Sequence, residues 1–127
     1  MEEAKKRFTN KYTGPVKKSF DKYYDILAGI DADDIYVDAD INFTKEIQGM
    51  QRSINYLSNG QRDLIGICMR MALLEGMFRD EKPFVIFDDP FINLDEKTVA
   101  NAKLFMDKIG KEYQVIYFTC HTSRKLA

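Results

Sequence analysis

Two short apolar runs on either side of one amphipathic segment constrain the fold of this chain more than any other feature. The runs span residues 84–87 and 115–118, and neither alternates between apolar and polar positions. Such runs are typical of parallel strands that are buried on both faces. The segment between them predicts one helix, which Asp95 caps and Gly110 ends. Its apolar contacts are expected from Val99, Ala102, Leu104, Phe105, Met106 and Ile109. Strand, helix and strand in this order predict a right-handed βαβ unit and an α/β fold.

Ionisable residues follow both predicted strands. Asp88 and Asp89 come directly after the first run, and His121 follows the second. Parallel strands end at the same edge of a sheet, and open α/β sheets bind ligands at that edge, so these side chains are candidates for a site. The ordinary alternatives are a solvated turn before Pro90 and a histidine with a structural role. A nucleophile pair of Cys120 and His121 is disfavoured, because neighbours along a strand point to opposite faces.

A polar loop at residues 56–63 opens the most apolar helix of the chain, which is predicted to run over residues 61–78. Ser58 is a good N-cap, Gly60 lets a ligand approach the backbone, and Asp63 places a carboxylate in the first turn. The unpaired N–H groups and the positive dipole end of such a helix suit a phosphate group. The alternative is a helix cap that binds no ligand.

One polar stripe interrupts this helix, and we expect nearly all of its remaining surface to be buried. The stripe holds Arg62, Asp63, Gly66 and Arg70. Glycine costs a helix about 1 kcal/mol relative to alanine, so Gly66 predicts close packing against another element. Arg62 and Arg70 either solvate an exposed edge or belong to an interface.

The N-terminal 30 residues predict a helical segment. Residues 1–13 form a first helix, Gly14 and Pro15 interrupt it, and a second helix runs from Pro15 to Gly29. The second helix is either an ordinary surface helix packed on a core or the root of a coiled coil, and the sequence does not decide between them.

A change to a period of two predicts strands next. A hairpin should turn near Ala39 and Asp40, and a further strand around residues 47–50 is weakly indicated. We place the boundary between the helical segment and the α/β lobe after residue 30, so that the lobe spans residues 31–127.

Composition limits the chain to one core and excludes several classes of protein. The chain has 127 residues and 45% hydrophobic content, which suffices for one domain. A net charge of −1 gives no broad basic field, so any contact with DNA must be local. Cys68 and Cys120 form neither a disulfide framework nor a zinc-ligand spacing. Without a signal-peptide pattern or a membrane-length apolar run, we expect a soluble, cytoplasmic protein.

Four sequence elements, taken in chain order, resemble the second half of the nucleotide-binding domain of ABC-type ATPases. The first is the polar loop before the apolar helix, the second is the apolar run that ends in Asp88 and Asp89, and the other two follow that run. The pattern is most similar to the heads of SMC-like and SbcC-type DNA-repair ATPases. The matching motifs are the signature loop (residues 57–61), the Walker B strand (84–89), the D-loop (93–95) and the switch histidine, His121. The resemblance implies the C-terminal half of a P-loop NTPase head, in which parallel strands and packed helices follow N-terminal helices and a β-hairpin.

The resemblance also implies a role for each candidate residue. Asp88 would hold Mg²⁺, and Asp89 would orient or deprotonate the attacking water. His121 would touch the γ-phosphate, and Asp95 is the D-loop residue. The signature loop would close over ATP bound to a second head, using Ser58, Asn59, Gly60 and Gln61. Most relatives carry glutamate in place of Asp89, and aspartate is one methylene shorter, so the sequence leaves hydrolysis open.

Nothing in the chain matches G-x-x-x-x-G-K-[ST], the loop that cradles phosphates. The resemblance therefore implies the C-terminal lobe of a head, either an excised fragment or part of a larger gene product, and a chain that is inactive by itself. The implied cofactors are ATP and Mg²⁺. The implied partners are the Walker A lobe of the same protein, a second head in a homodimer, DNA and a nuclease subunit, with no membrane. The alternatives are a non-hydrolysing dimerisation module gated by nucleotide and a transporter ATPase subunit.

Overall fold

The computed structural model describes residues 2–38, 40 and 42–120. The predicted turn residue Ala39 and the candidate site residue His121 lie outside the described residues. In chain order, the elements are α1 (Glu2–Ala28), β1 (Ile35–Val37), β2 (Phe43–Ile47), β3 (Met50–Ser53), a 3₁₀ turn (Ile54–Tyr56), α2 (Asn59–Met77), β4 (Val85–Asp88), α3 (Glu96–Gly110) and β5 (Val115–Phe118).

Helix α1 is continuous, so the predicted break at Gly14 and Pro15 is wrong. Proline fixes φ near −65°, which a helix accepts, but it removes one backbone hydrogen bond at a cost of about 3 kcal/mol. Burial beyond the proline offsets this cost. Val16, Phe20 and Leu27 are at most 2% exposed, and burying one such side chain contributes about 1.5–3 kcal/mol. This half of α1 packs against α2 and α3.

Gly29 ends α1 as predicted. Its φ of +74° lies in the left-handed region, and its N–H donates to the carbonyl oxygen of Asp25 at 3.0 Å. Asn101 of α3 reaches the same helix end, where its side-chain amide donates to the carbonyl oxygen of Leu27 at 3.2 Å. These contacts tie the C-terminal end of α1 to α3.

Strands β1, β2 and β3 form an antiparallel sheet in that order, which confirms the predicted hairpin between β1 and β2. Asp38 stabilises the turn of this hairpin. Its Oδ1 accepts hydrogen bonds from the backbone N–H groups of Asp40 and Asn42, both at 2.9 Å.

The third strand lies three residues later than predicted. Residues 47–50 form the turn between β2 and β3, in which Ile47 pairs with Met50. Gln48 and Gly49 both have positive φ, at 52° and 78°. Two successive residues with positive φ give the two-residue turn whose twist matches that of the flanking strands. The glycine at position 49 is the sequence signal for this turn.

Strands β4 and β5 are parallel, and α3 connects them, so the predicted βαβ unit is confirmed. The register pairs Val85 with Val115 at one end of the sheet and Asp88 with Phe118 at the other. Asp88, the last residue of β4, therefore lies beside Phe118, the last residue of β5.

The β4–β5 sheet is covered on one face only, so the prediction of strands buried on both faces is wrong. On the covered face, Phe91 stacks on Tyr117 with ring centroids 5.9 Å apart. On the opposite face, Phe84, Ile86 and Phe118 are 62%, 55% and 55% exposed. Within the part of the chain that the structure describes, this apolar face is open to solvent.

The core lies between the three helices and the antiparallel sheet. Tyr23 of α1 meets Phe105 of α3 edge to face, with ring centroids 5.8 Å apart, and Phe20 packs on Phe43 of β2 at 4.9 Å. One predicted contact of α3 is wrong, because Leu104 is 62% exposed. The C-terminal end of α2 also leaves apolar side chains exposed, so α2 is less completely buried than predicted. None of the helices that the structure describes has the length and apolar character needed to cross a membrane.

Candidate functional site

A cleft of about 430 Å³ separates α2 from β4. Its polar lining comes from the stripe of α2 and from the end of β4: Arg62, Asp63, Arg70, Asp88 and Asp89. The fold therefore brings the acidic pair and the polar stripe to one cavity. No spacing in the sequence indicates that the polar stripe of α2 and the acidic pair line the same cleft.

The polar stripe of α2 faces this cleft instead of packing against another element. Gly66 lines the cleft, and outside its own stretch of helix no heavy atom lies within 4 Å of the position that a Cβ would take. The prediction of close packing at Gly66 is therefore wrong. Arg62 and Arg70 are exposed, and Arg62 Nη2 donates to Asn59 Oδ1 at 2.8 Å, within the same helix.

The acidic pair lies at the carboxyl end of β4, as predicted. Asp88 is the last residue of the strand and is exposed. Asp89 has a φ of 44°, in the left-handed region, which aspartate tolerates better than most residues. Its N–H still donates to the carbonyl oxygen of Phe118 at 2.8 Å, so the backbone of Asp89 remains attached to β5 while the chain turns away.

Cys120 holds the carboxylate of Asp89 from the neighbouring strand end. Asp89 Oδ2 accepts hydrogen bonds from Cys120 Sγ at 3.1 Å and from Cys120 N at 3.4 Å. The side-chain hydrogen bond and the negative charge of Asp89 raise the pKa of the Cys120 thiol. The sequence gives no signal for this contact, because Cys120 and Asp89 are 31 positions apart. The position of His121, one residue further on, stays a prediction.

Ser58 caps α2 as predicted, because its Oγ accepts a hydrogen bond from the N–H of Gln61 at 3.3 Å. The helix begins at Asn59, two residues earlier than expected, so Asp63 lies beyond the first turn and that part of the prediction is wrong. Asp63 instead accepts a hydrogen bond from Asn93 Nδ2 at 2.7 Å. The loop that contains Asn93 thus contacts the first two turns of α2.

Gly60 lies directly against the backbone of Asn93. A Cβ on Gly60 would stand 2.6 Å from the carbonyl oxygen of Asn93, a separation that real Cβ atoms essentially never show. The backbone approach that the sequence predicts to be open to a ligand is therefore occupied by Asn93 on this side. Asn93 and Asp63 are 30 positions apart, and no spacing in the sequence signals their contact.

Asp95 caps α3, as predicted. Its Oδ1 accepts a hydrogen bond from the N–H of Thr98 at 2.7 Å. Hydrogen bonds from the side chain and the backbone of Thr98 lower the pKa of Asp95 from its ordinary value of 3.8. The cap accounts for this residue structurally, and its role as a D-loop residue stays a prediction.

The donor set at the end of β4 fits magnesium. Among the described residues, no group of three or more histidine, cysteine, aspartate or glutamate side chains could hold a metal ion. Mg²⁺ is usually bound by one or two carboxylates, and water and phosphate oxygens complete its coordination. Asp88, which is exposed at the rim of the cleft, matches this pattern. Cys68 and Cys120 are both free, and burial raises the pKa of Cys68.

The described elements define an α/β lobe in which an antiparallel sheet and a βαβ unit pack on helices α1 and α2. Solved structures that share this fold are heads of SMC proteins. One comes from work on ATP-driven dimerization and DNA-stimulated activation of SMC ATPases. It has a TM-score of 0.67 and 16% identity, and the match covers 94% of this chain and 75% of that one.

Two further SMC heads agree with this assignment. The SMC head domain from Thermotoga maritima has a TM-score of 0.60 and 20% identity, over 95% of this chain and 43% of that one. An SMC head bound to the C-winged helix domain of ScpA has a TM-score of 0.63 and 14% identity, over 88% of this chain and 36% of that one. No protein-family model and no curated protein matches the sequence. The chain therefore has an SMC head fold, and it spans less than half the length of these two structures.

Proposed function

We propose that this chain is the C-terminal lobe of an ATPase head in an SMC-like protein of the SbcC type, which acts in DNA repair or chromosome maintenance. The head would bind ATP through a Walker A lobe of the same protein and hydrolyse it in a dimer of two heads. The SMC head fold and the order of the four motifs support this proposal.

The uncovered apolar face of the β4–β5 sheet is the observation that carries the proposal. Two strands are too few for a stable sheet, and parallel sheets are covered on both faces in α/β proteins. Phe84, Ile86 and Phe118 are each more than half exposed. A second lobe that extends the sheet and covers these side chains would satisfy both requirements. Because this sequence lacks a Walker A motif, the same lobe would supply the phosphate-binding loop.

Asp88 and Asp89 would act on the nucleotide of their own head. Asp88, exposed at the end of β4, would hold Mg²⁺, which neutralises charge that develops on the phosphates. Asp89 would orient the attacking water and accept its proton. The hydrogen bond from the N–H of Asp89 to the carbonyl oxygen of Phe118 holds the backbone of Asp89 beside β5. His121 would touch the γ-phosphate.

The start of α2 would act on the nucleotide of the second head. Unpaired N–H groups and the positive end of the helix dipole favour an anion at this position. The hydrogen bond from Gln61 to Ser58 holds the first turn in shape. A nucleotide held by both heads would shift the population toward the closed dimer, because it makes more contacts there than in either separate head.

The test is Asp89→Asn in the complete head, in which this chain is joined to its Walker A lobe. Asparagine is of similar size and tolerates a positive φ, but it cannot accept a proton from water. We expect turnover to fall by about 10²-fold or more, while ATP-dependent dimers persist. ATP hydrolysis and the dimer fraction in size-exclusion chromatography measure these two effects.

A matched control is Asp107→Asn, which removes an exposed carboxylate near the C-terminal end of α3 and should leave both values unchanged. The proposal is wrong if the Asp89→Asn head hydrolyses ATP at the wild-type rate. It is also wrong if the complete wild-type head neither dimerises with ATP nor hydrolyses it.

A second candidate function is nucleotide-gated dimerisation without hydrolysis. The identity of Asp89 favours it, because aspartate is one methylene shorter than the glutamate that most proteins of the resemblance carry at this position. In this case the wild-type head would form ATP-dependent dimers with no turnover, and Asp89→Asn would change neither property. No specific observation favours a transporter subunit.

A further inference from the structure

We propose that Cys120 is a positioning residue. It holds the carboxylate of Asp89 in the orientation in which Asp89 can orient the attacking water and accept a proton from it. This inference rests on the proposed function, since Asp89 is a catalytic residue only in an ATPase head. The resemblance assigns no role to Cys120, and its contacts with Asp89 are what suggest one.

Two donors of Cys120 converge on one oxygen of Asp89. The Sγ–Oδ2 distance is 3.1 Å and the N–Oδ2 distance is 3.4 Å, between residues 31 positions apart. The N–H of Asp89 donates to Phe118, two residues before Cys120, at 2.8 Å. The end of β5 therefore holds both the backbone and the side chain of Asp89. These contacts cross from one strand end to the next, so they link the acidic pair to the segment that leads into His121.

Asp89 needs a contact that orients its side chain. The backbone of Asp89 is still bonded to β5, but its φ of 44° departs from strand geometry, so strand geometry does not fix the direction of its side chain. A misplacement of about 1 Å in a catalytic group can cost about 10²-fold in rate. A thiol is a weak and neutral donor, so it can orient a carboxylate without neutralising the charge that the base needs.

The surroundings of Cys120 argue against a separate reactive role for the thiol. Reactive cysteines lie in electropositive sites that favour the thiolate. Cys120 faces a carboxylate, which raises the pKa of the thiol and keeps the proton on sulfur. A protonated thiol is the form that donates a hydrogen bond to Asp89.

The contact itself can be tested in the complete head without nucleotide. Iodoacetamide alkylates a thiolate at sulfur, with iodide as the leaving group, so its rate reports how firmly the proton of Cys120 is held. We expect several-fold faster alkylation of Cys120 in Asp89→Asn than in the wild type at mildly alkaline pH. Asp107→Asn is the matched control, and the buried Cys68 serves as a slow internal reference. Equal rates in Asp89→Asn and the wild type would overturn the inference, whatever the head does with ATP.

The positioning role is tested in the complete head by comparing Cys120→Ala with Cys120→Ser. Alanine removes the side-chain donor, and we expect kcat to fall about 10-fold with an unchanged KM for ATP and unchanged ATP-dependent dimers. Serine retains a donor and should restore most of kcat.

Full turnover in Cys120→Ala, together with lost turnover in Asp89→Asn, would overturn the positioning role and leave the proposed function intact. Equal losses in the alanine and serine variants, with weaker dimers, would show a structural role and would also overturn it. Retained turnover in Asp89→Asn would refute the proposed function, and the inference about Cys120 would fall with it.

Discussion

Gly60→Ala tests the close contact between the first turn of α2 and the backbone of Asn93. The added Cβ would stand 2.6 Å from the carbonyl oxygen of Asn93, so a backbone segment must move. Overpacking of this kind costs about 1–3 kcal/mol, and the higher helix propensity of alanine recovers at most about 1 kcal/mol of that. With 127 residues and about 2.1 cal/mol/K of unfolding entropy per residue, 1 kcal/mol corresponds to about 4 °C in Tm. The net cost is then up to about 2 kcal/mol, and we expect Gly60→Ala to lower Tm by up to about 8 °C.

Gly66→Ala is the matched control in the same helix. Its Cβ would meet no atom outside its own stretch of α2, so only the propensity gain remains, and we expect Tm to rise by up to about 4 °C. Thermal unfolding of the wild type and both variants, followed by circular dichroism, measures the difference. If Gly60→Ala proves as stable as Gly66→Ala, the close approach of Asn93 does not exist and the argument fails.

Two further predictions concern hydrogen bonds near the cleft. Asn93→Asp would place a second carboxylate beside Asp63, and we expect a loss of about 1 kcal/mol. The double variant Asp63→Asn with Asn93→Asp should regain this lost stability, because the asparagine at position 63 then donates the hydrogen bond to the aspartate at position 93. Calorimetric Tm values measure this, and a double variant no more stable than Asn93→Asp would contradict the contact. Hydrogen bonds from Thr98 lower the pKa of Asp95 in the folded state. The ionised Asp95 cap therefore stabilises the fold fully above its ordinary pKa of 3.8, and this contribution is lost as pH falls through the lowered pKa of the folded state. The stability deficit of Asp95→Ala in urea should therefore shrink between neutral pH and about pH 3; a constant deficit would refute the assignment.

Local chemistry made several elements predictable from the sequence. Ser58, Asp95 and Gly29 act within one turn of their own helices, so their neighbours along the chain suffice to place a cap or a helix end. The βαβ unit was also predictable, because short apolar runs that flank a helix leave few topologies. This topology also made it predictable that Asp88 lies at the carboxyl end of β4, at the same edge of the sheet as the end of β5.

The features that failed prediction depend on what packs against them. Pro15 lies inside a helix because burial further along α1 outweighs one missing hydrogen bond. The outer face of the β4–β5 sheet is exposed because no described element covers it, although its residues are as apolar as those of a central strand. In each case the burial of the element depends on the elements that pack against it. The spacing of residues in the sequence does not show which elements these are.

The sequence alone determined the helix caps, the parallel strands and the location of the acidic pair, since each depends on residues close together in the chain or on a short connection. Only the tertiary structure decided that Asn93 lies on Gly60 and that Cys120 holds Asp89. These contacts join residues about 30 positions apart. They exist because the packing of α2 and α3 against α1 brings separate loops to one edge of the sheet.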